Sequence, residues 1–334
     1  MRRKFWRLIL MAMLMLSLVP GARAAEELKF STSSMFYGPD SGFFTALAKG
    51  FYQAAGFDTE IVRGFGSGNT IKYVSTKTVN FGFADTGSLV GGRARGSKAK
   101  EIAMVFGKAP HGVYFLKSSG IRKPKDLEGR VVGASQRSGS FKAFGAYAHL
   151  AGIDQSKVKF QFMDFPSILP SVLAGKVDAG CFYVTGLPVV TFKTKEAGKS
   201  VGMLLYKDSG FNIYSNGIIA HDDDIQNRPG RVRRFLKAAI QGIAYGIDHP
   251  EEAVKHFLKY NPGSSKQLVL GQWKVTVSLL STPEAKKNGV GYMLKEKMKE
   301  TRDLMVRLLK LKTEVKLEDL YTNRFNPRIF PKSW

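Results

Sequence analysis

Residues 41–71 read SGFFTALAKGFYQAAGFDTEIVRGFGSGNTI and combine a helix, a strand, a glycine-rich turn and the start of a second helix. Residues 41–56 are typical of a helix that ends at a glycine, and the stretch at 59–64, with its short apolar run Ile61-Val62, is typical of a strand. A strand precedes this stretch at 28–34, and strand, helix and strand follow it at 79–107. Strands that alternate with helices favour βαβ units and a parallel sheet.

The pattern restarts at residue 112 and then gives way to helices. Further strands are predicted at 112–117, 158–164, 178–184, 202–208 and 214–220. From Arg228 the chain is amphipathic and helical, and Pro250 opens one helix with Glu251 and Glu252 placed favourably at its positive end. The sequence therefore predicts two α/β units followed by a helical tail.

The glycine cluster of residues 64–68 resembles a phosphate-binding loop but lacks the residues that such loops need. A P-loop requires Lys followed by Ser or Thr after its last glycine, and here Asn69 follows Gly68. A dinucleotide fingerprint starting at Gly64 would need glycine at position 69. What remains is a strand-to-helix turn whose backbone N–H groups can bind a polar or anionic group.

Four such turns occur, and each follows a predicted strand. They read FYGPDSGFF (36–44), GFGSGNT (64–70), ADTGSL (84–89) and SQRSGSF (135–141). Ligands of open α/β sheets bind beyond the carboxyl ends of the strands, so the four turns together predict a cleft between the two units. Tyr37, Tyr183 and Tyr214 are candidate walls, because a ring with a hydroxyl suits a planar polar solute.

The N-terminus predicts export. Four basic residues among the first seven precede an apolar segment at 8–19, and Ala22-Arg23-Ala24 offers a cleavage site, so residues 1–24 are predicted to be a signal peptide. The apolar segment is shorter than the roughly 20 residues of a membrane span. Cys181 is the only cysteine, which rules out an internal disulfide. A large exported chain without disulfides is expected in a bacterial periplasm.

The chain is strongly basic, with a formal net charge of +24. Loss of residues 1–24 removes five basic and no acidic residues, which leaves +19. The densest cluster is RARGSKAK at 93–100, and we interpret it as a solvated helix end and loop. Because no zinc-finger, RRM or basic-zipper pattern accompanies it, no nucleic-acid partner is predicted.

Motifs for catalysis and for metal binding are missing from the sequence. There is no G-x-S-x-G elbow, no H-E-x-x-H pair and no paired-cysteine spacing. His221 with Asp222, Asp223 and Asp224 is interpreted as a loop and helix cap, because four adjacent side chains do not easily converge on one ion. Cys181 lies in an apolar strand and is expected to be a small buried side chain. Neither a cofactor nor a metal is therefore predicted.

The order of motifs along nearly the whole mature chain resembles the ABC-importer solute-binding proteins of the thiamine-pyrimidine, sulfonate, taurine and nitrate group. The resemblance rests on GFFTALAKGFYQAAGFDTEIVRGFGSG, VNFGFADTGSLVGGRARG, SSGIRKPKDLEGRVVGA, VLAGKVDAG, NRPGRVRRFLKAAIQGIAYGIDHPEEAV and LYTNRFNP. These blocks are specific to the family and not to a ligand.

The resemblance implies an α/β, two-lobed type II periplasmic-binding fold whose lobes close about a hinge on a solute. The crossings between lobes would lie near 112–117 and 214–220. The first lobe would then contain residues 25–111 plus 220–334, and the second residues 112–219. A small-molecule ligand and an inner-membrane ABC permease are the implied partners, and a monomer is expected.

The resemblance also implies which residues form the site. From the first unit they are Ser33, Ser34, Tyr37, Gly66, Ser67, Asp85 and Thr86. From the second unit they are Ser138, Ser140, Tyr183 and Asn212.

Several functions are compatible with this sequence. The tyrosines and Asp85 favour a pyrimidine-like or other nitrogenous ring, because a carboxylate accepts hydrogen bonds from amino groups. The serine- and glycine-rich helix starts and the basic charge favour an organic anion such as a sulfonate, taurine, nitrate or a carboxylate. One member type of the group is a thiamine-precursor enzyme marked by a cysteine-rich motif, and the single Cys181 counts against it. A periplasmic sensor subunit is a further alternative.

Overall fold

The computed structural model describes residues 24–136 and 138–334. The predicted signal peptide lies outside the described residues, apart from Ala24. No helix within the described ranges combines the length and the apolar character needed to cross a bilayer.

Ten described strands form two five-stranded sheets. In chain order the strands are β1 (Glu26–Ser31), β2 (Phe57–Val62), β3 (Phe81–Asp85), β4 (Ala99–Met104), β5 (His111–Leu116), β6 (Val131–Ala134), β7 (Lys159–Phe162), β8 (Ala179–Tyr183), β9 (Val201–Leu205) and β10 (Asn216–His221). The first sheet has the order β2-β1-β3-β10-β4, and the second has the order β7-β6-β8-β5-β9. In both orders, the fourth position is taken by the strand that the chain enters after crossing from the other sheet.

In each sheet the fourth strand is antiparallel to its neighbours. In the first sheet this strand is β10, which pairs with β3 and β4, and in the second it is β5, which pairs with β8 and β9. Both strands directly follow a passage of the chain from one sheet to the other. The other strand pairs, β1 with β2 and β3, and β6 with β7 and β8, are parallel, as the alternation of elements predicts.

The passages between sheets run through residues 105–110 and 206–215, which lie outside the ten strands. The segments expected as crossings, 112–117 and 214–220, correspond largely to β5 and β10, the strands that the chain enters after each passage. The division into lobes at residues 111 and 219 stays a prediction. Sheet membership favours placing β10 with the first lobe, because it bonds to β3 and β4.

Helices cover both sheets, so the predicted α/β class is confirmed. Those around the first sheet are α1 (Ser41–Ala48), α2 (Phe51–Ala54), α3 (Ser67–Ser75) and α4 (Thr86–Ala94). Those around the second are α5 (Gly139–Leu150), α6 (Phe165–Leu173) and α7 (Leu187–Glu196). The tail contains α8 (Asp222–Asn227), α9 (Pro229–Asp248), α10 (Pro250–Tyr260), α11 (Lys266–Leu280), α12 (Pro283–Asn288), α13 (Lys295–Leu308) and α14 (Leu317–Leu320).

The helix expected at 41–56 is divided into α1 and α2. Gly50 adopts φ of 70°, a left-handed conformation that ends one helix and begins the other. Gly50, and not Gly56, therefore sets the end of α1.

The helical tail returns to the first sheet. Helix α9 packs against α1, where a side chain at Gly242 would overlap the backbone of Gly42. On the same helix the Phe235 ring stacks on the Phe81 ring of β3, with centroids 3.9 Å apart. Helix α13 packs against α4. Close packing of this kind makes the tail part of the first sheet's core.

Candidate functional site at the junction of the two sheets

Asp85, at the carboxyl end of β3, is the centre of the polar contacts between the two sheets. Its Oδ1 caps α4 by accepting from the Ser88 N–H at 2.7 Å. Its Oδ2 accepts from the Ser215 hydroxyl at 3.0 Å and lies 3.5 Å from the Tyr183 hydroxyl. The side chain is almost fully buried, so these donors replace the water that a carboxylate would otherwise need.

His111, the first residue of β5, faces the same carboxylate. Its Nε2 lies 3.8 Å from Asp85 Oδ2, and its ring stands edge-on to those of Tyr183 and Phe211. Burial lowers the pKa of His111 to about 4, and the Asp85 charge only partly opposes this. The imidazole is therefore neutral at physiological pH, and its buried Nδ1 has no hydrogen-bond partner within the described chain.

The two sheets are in close contact at this point. Gly139 opens α5 from the second sheet, and a Cβ there would overlap the Tyr183 hydroxyl and stand 3.5 Å from the Asp85 carboxyl carbon. A larger residue at 139 would push apart the groups that meet over Asp85. The arrangement is thus a closed one, with Gly139 supplying the necessary space.

The glycine-rich turn is joined to the first loop. The Gly64 N–H donates to the Ser34 carbonyl at 3.0 Å, and the Gly66 N–H donates to the Ser33 carbonyl at 2.8 Å. A Cβ on Gly64 would overlap the Thr32 carbonyl, and Gly66 has φ of 105°. The amide of Gly66, expected to serve a solute, is already bonded within the protein. Both glycines are accounted for by backbone geometry.

Tyr37 reaches from the first loop towards the second sheet. Its phenol lies beside Thr185, which follows β8, and burial together with Asp40 raises its pKa. Asp40 accepts from the Tyr37 N–H at 3.1 Å and is itself fully buried. Burial raises the pKa of Asp40 to about 8, so this carboxyl holds a proton at neutral pH.

Ser67 and Thr86, two further expected site residues, have hydroxyl groups that bond inside the protein. Ser67 Oγ accepts from the Asp85 N–H at 3.0 Å, which fixes the third turn to the second. Thr86 is fully buried and donates to the Glu101 carboxyl at 3.0 Å. Burial raises the pKa of Glu101 well above its usual range, the Thr86 hydrogen bond opposes this, and Asp85 adds to it.

The two serines of the second sheet have structural partners as well. Ser138 caps α5 by accepting from the Phe141 N–H at 3.2 Å. Ser140 is buried, and its hydroxyl donates to the Phe182 carbonyl of β8 at 2.5 Å. Ser138 is half-buried at the start of the helix and is the more accessible of the two.

Two residues of the second passage between sheets form no hydrogen bond to Asp85 in the described structure. Asn212 is exposed, and its N–H donates to the Gly210 carbonyl at 2.9 Å. Tyr214, expected as a wall of the cleft, is fully buried, where its hydroxyl bonds to Glu284 at 3.2 Å and to the Leu294 N–H at 2.8 Å. The expectation for Tyr214 is wrong, because its polar tip is satisfied by the C-terminal helices.

A cavity of about 160 Å³ adjoins Asp85 between α4, α5 and α13. Its lining comprises Asp85, Gly87, Ser88, Gly91, Arg95, His111, Gly139, Lys142, Ala143, Ile213, Met305 and Leu309. The expected site residue among them is Asp85. The cavity therefore extends from the predicted cleft along α4 towards the tail, in a direction that the four turns did not indicate.

The basic cluster at 93–100 is more than a solvated helix end. The Arg93 side chain is 10% exposed and pairs with Asp319 at 3.3 Å, and with Asp222. Arg95 is exposed but borders the cavity. The interpretation as a solvated helix end and loop is confirmed for Arg95 and Lys98, which are exposed. It is wrong for Arg93, because Asp222 and Asp319 of the tail pair with its side chain.

The predicted helix cap at His221 is confirmed. His221 Nδ1 accepts from the Asp223 N–H at 3.0 Å. The three neighbouring aspartates form ion pairs with different cations: Asp222 with Arg93, Asp223 with Lys77, and Asp224 with Arg228. No cluster of metal-binding side chains is present in the part of the chain that the structure describes.

Sequence reasoning missed His111, Lys142, Arg95 and Ser215. A partial signal existed for Lys142, which stands four residues after the cap Ser138 and so lies about one helical turn into α5. His111 is the first residue of β5, and Ser215 directly precedes β10. The two residues come to Asp85 only because β5 pairs with β8 and β10 pairs with β3.

Comparison with known proteins gives a family and a fold. A family model described as NMT1/THI5 like matches residues 40–253. The riboflavin-binding protein RibY of Chloroflexus aurantiacus is 26% identical over 317 residues, which cover 92% of this chain and 89% of that protein. A 4-amino-5-hydroxymethyl-2-methylpyrimidine phosphate synthase of Legionella pneumophila is 26% identical over 220 residues, which cover 64% of this chain and 67% of that protein.

Among solved structures, the alkanesulfonate-binding protein SsuA from Xanthomonas axonopodis pv. citri, bound to MOPS, matches with a TM-score of 0.70 and 13% identity. The match covers 90% of this chain and 99% of that one. At 13% identity, the structural similarity shows a shared fold alone. The predicted two-lobed type II periplasmic-binding fold is thereby confirmed.

Proposed function

Because the chain belongs to the NMT1/THI5-like family, we propose that it is the periplasmic solute-binding component of an ABC importer. It captures a small polar solute by closure of two lobes and delivers it to a membrane permease. The signal peptide predicted at residues 1–24 would bring it to the periplasm. The periplasmic-binding fold and the SsuA likeness support this proposal.

The observation that carries the proposal is the position of Asp85. It lies at the carboxyl end of a central strand of one sheet, and Tyr183 and Gly139 of the other sheet meet directly over it. Crevices beyond the carboxyl ends of strands are where open α/β sheets bind ligands. A group that bonds to both sheets at once stabilises closure, because its contacts are complete only in the closed form.

The solute we favour is a pyrimidine-like or other nitrogenous ring. Asp85 supplies acceptor oxygens, and the neutral His111 supplies a further acceptor at Nδ1 if its proton is on the nitrogen that faces Asp85. Tyr37 and Tyr183 supply ring faces. The names of two relatives, one for riboflavin and one for an aminopyrimidine, point to nitrogenous rings as well.

Binding fits the described residues better than turnover does. Cys181 is buried, and burial raises its pKa to about 12, so it carries no thiolate at neutral pH. The enzyme alternative, suggested by the synthase relative, needs a reactive group beside the solute. Incubation of the protein with its solute, followed by mass spectrometry, should return the solute unchanged. A new product would establish the enzyme instead.

A thermal-shift screen with pyrimidines, flavins, sulfonates, nitrate and small carboxylates tests the proposal. A solute at 100 times its Kd should stabilise the fold by about 2.7 kcal/mol. The Asp85→Asn variant keeps a capping oxygen for α4 but loses the charge, so affinity for the solute should fall by about 10- to 100-fold. Asp126→Asn is the matched control, since Asp126 caps a turn at residues 122–126. If every compound leaves the melting temperature unmoved, the proposal fails.

The organic-anion alternative is favoured by one observation, the pair of cations Arg95 and Lys142 beside the cavity. If sulfonates or carboxylates stabilise the protein and neutral rings do not, this alternative replaces the ring.

A further inference from the structure

The two passages between the sheets are bonded to each other where they leave the first sheet. The Val105 and Phe106 N–H groups both donate to the Asn216 carbonyl, at 3.0 and 2.8 Å. In return, the Ser215 N–H donates to the Phe106 carbonyl at 3.0 Å. These bonds continue the pairing of β4 with β10 beyond the two strands. The passages therefore leave the first sheet side by side.

Lys297, in the first turn of α13, contacts both passages. Its ammonium donates to the Gly107 carbonyl of the first passage at 2.6 Å. The same ammonium lies 5.0 Å from the centre of the Tyr214 ring, which belongs to the second passage. Partial burial lowers the pKa of Lys297, and the Glu284 charge opposes this shift. One side chain of the helical tail therefore connects the two passages.

The tail holds the second passage by its backbone as well. The Tyr214 N–H donates to the Thr301 hydroxyl of α13 at 3.1 Å. The Tyr214 hydroxyl, as described above, bonds to two further groups of the tail. Residues 105–107 and 214–216 are therefore fixed both to each other and to the tail, which packs on the first sheet.

The opposite ends of the passages are fixed to the second sheet. The Val184 N–H, directly after β8, donates to the Pro110 carbonyl at 2.7 Å. The Phe211 N–H donates to the Tyr206 carbonyl at 3.2 Å, and the Phe211 ring stands edge-on to that of His111. Pro110 and Phe211 therefore move with the second sheet.

Two short segments, 108–109 and 212–213, remain between these two sets of bonds. Within residues 24–136 and 138–334, the backbones of Lys108, Ala109 and Ile213 form no hydrogen bond. The Asn212 N–H bonds inside its own passage. Hinges are formed by a few loop residues that absorb the change in φ and ψ, and these two segments meet that description.

We propose that Lys297 is a positioning residue for closure of the two lobes. By holding both passages to the first sheet, it confines the rotation to residues 108–109 and 212–213. This inference rests on the proposed function, because closure is the motion that captures the solute. It assigns to the helical tail a task at the hinge, in addition to its packing against the first sheet.

The position of the hinge matters for the candidate site, because the fixed part of the second passage includes Ser215. The Ser215 hydroxyl donates to Asp85, and its carbonyl accepts from the Thr86 N–H at 2.8 Å. A chain that bent at residues 214–215 would move one donor of the Asp85 carboxylate each time the lobes opened. A chain that bends at 212–213 leaves this part of the site assembled in both states.

The first test measures amide hydrogen exchange by NMR in the protein without solute. Lys297→Met keeps the apolar stem of the side chain and removes the ammonium. The Phe106 and Ser215 N–H groups, which join the passages, should then exchange about tenfold faster, as expected for the loss of one hydrogen bond from a charged group. The Val184 N–H, on the second-sheet side, should exchange as in the parent.

Lys297→Arg should restore slow exchange, because a guanidinium also donates to a carbonyl and lies over a ring. Lys199→Met is the matched control, because the Lys199 ammonium donates to the Leu173 carbonyl beside the second sheet. It should leave exchange in the passages unchanged. If Lys297→Met does not fold, Lys297→Gln, which shortens the side chain and removes its charge, replaces it with the same expected result. Equal exchange in all variants would overturn the proposal.

The second test measures closure itself. Spin labels at Glu60→Cys and Gln161→Cys, on the outer strands β2 and β7, report the distance between the two sheets by pulsed electron resonance. The native Cys181 is buried and should stay unlabelled. Without solute, Lys297→Met should broaden the distance distribution relative to the parent, because the passages can then bend at more positions. Lys199→Met should not broaden it.

The probes for closure are cytosine, riboflavin, methanesulfonate, nitrate and acetate, one for each class in the thermal-shift screen. A probe that narrows the distribution of the parent should bind Lys297→Met about tenfold more weakly, because it must also order the passages. If that probe acts equally on the parent and on Lys297→Met, the proposed function stands and the role of Lys297 is wrong. If no probe narrows the distribution of the parent, the proposed function fails, and the role of Lys297 in closure fails with it.

Discussion

The loops at the carboxyl ends of the two sheets differ, although the strand orders are the same. In the first sheet the loops bond to one another: the Gly64 and Gly66 amides bond to Ser34 and Ser33, and Ser67 bonds to the Asp85 amide. In the second sheet, Ser138 caps α5 and Ser140 bonds α5 to β8, while Gly139 and Lys142 approach the first sheet. The first-sheet loops therefore form one bonded unit, and in the function proposed above the second-sheet residues close on it.

The difference between the two sets of loops predicts which substitutions should lower stability and which should weaken binding. Changes among the first-sheet loops should lower stability, because each loop supports its neighbour. Changes at the start of α5 should mainly affect closure, because few backbone bonds depend on the residues that cross the junction.

The largest expected effect comes from Gly64→Ala. The new Cβ would overlap the Thr32 carbonyl, which accepts a hydrogen bond from the Thr70 hydroxyl, so the free energy of unfolding should fall by about 3 kcal/mol. Urea denaturation measures it. Gly263→Ala, where a Cβ meets no atom within 4 Å, is the control. Gly139→Ala should instead cost little stability and weaken solute binding. Equal losses of stability at 64 and 139 would remove the distinction between the two faces.

The second largest expected effect is a change in the free energy of unfolding with pH. The pKa of Asp40 is about 8 in the folded protein and near 4 when unfolded, so the folded state holds the extra proton between these values. Stability contributed by this proton is present at low pH and is lost as pH rises towards 8, by about 1.4 kcal/mol per pH unit. Across pH 6.5–8 the loss is about 2 kcal/mol.

His111 acts in the opposite direction, with a folded pKa of about 4 below its usual value near 6.5. Its contribution to stability rises with pH between these values, so the Asp40 effect is best measured above pH 6.5. Asp40→Asn should remove the slope there, and Glu101→Gln should change it as well, since Glu101 is another buried acid with a raised pKa. A slope that Asp40→Asn leaves unaltered would show that Asp40 is ionised in the folded protein.

The smallest of these effects on stability is that of Ser138→Ala. Loss of the cap on α5 should lower the free energy of unfolding by about 1 kcal/mol. Ser265→Ala removes a similar cap from α11, away from the Asp85 cluster, and should have a similar effect on stability. Binding measured by calorimetry should weaken only for Ser138→Ala. If both variants bind as the parent does, the second-sheet face does not depend on this cap.

Much of the fold could be predicted because it depends on local pattern. The run at 59–71 contains an alternating strand, glycines where φ is positive or backbones touch, and a helix start, and each feature has a local cause. The predicted turns at Asp85 and Ser138 are confirmed as helix starts, with side-chain caps on α4 and α5. Gly50, by contrast, separates α1 from α2 within a stretch that the hydrophobic pattern predicts as one continuous helix.

The remainder of the candidate site depends on pairing between distant segments. His111 and Ser215 reach Asp85 through β5 and β10, whose places in the sheets no local pattern reveals. Arg95 and Lys142 have long side chains, and sequence spacing does not say where their charged ends lie. Tyr214 was expected as a wall because of its residue type, but its partners Glu284 and Leu294 come from a tail 70 to 80 residues later.

The antiparallel fourth strand of each sheet also bears on the order of folding. The second sheet pairs Tyr183 with His111 and uses one continuous segment of chain, whereas the first sheet pairs Asn216 with Asp85 and encloses the whole second sheet between them. The longer loop closes at a greater entropic cost. The half encoded in the middle of the chain can therefore complete its sheet alone, whereas the half that begins the chain needs β10, which comes after the whole second sheet.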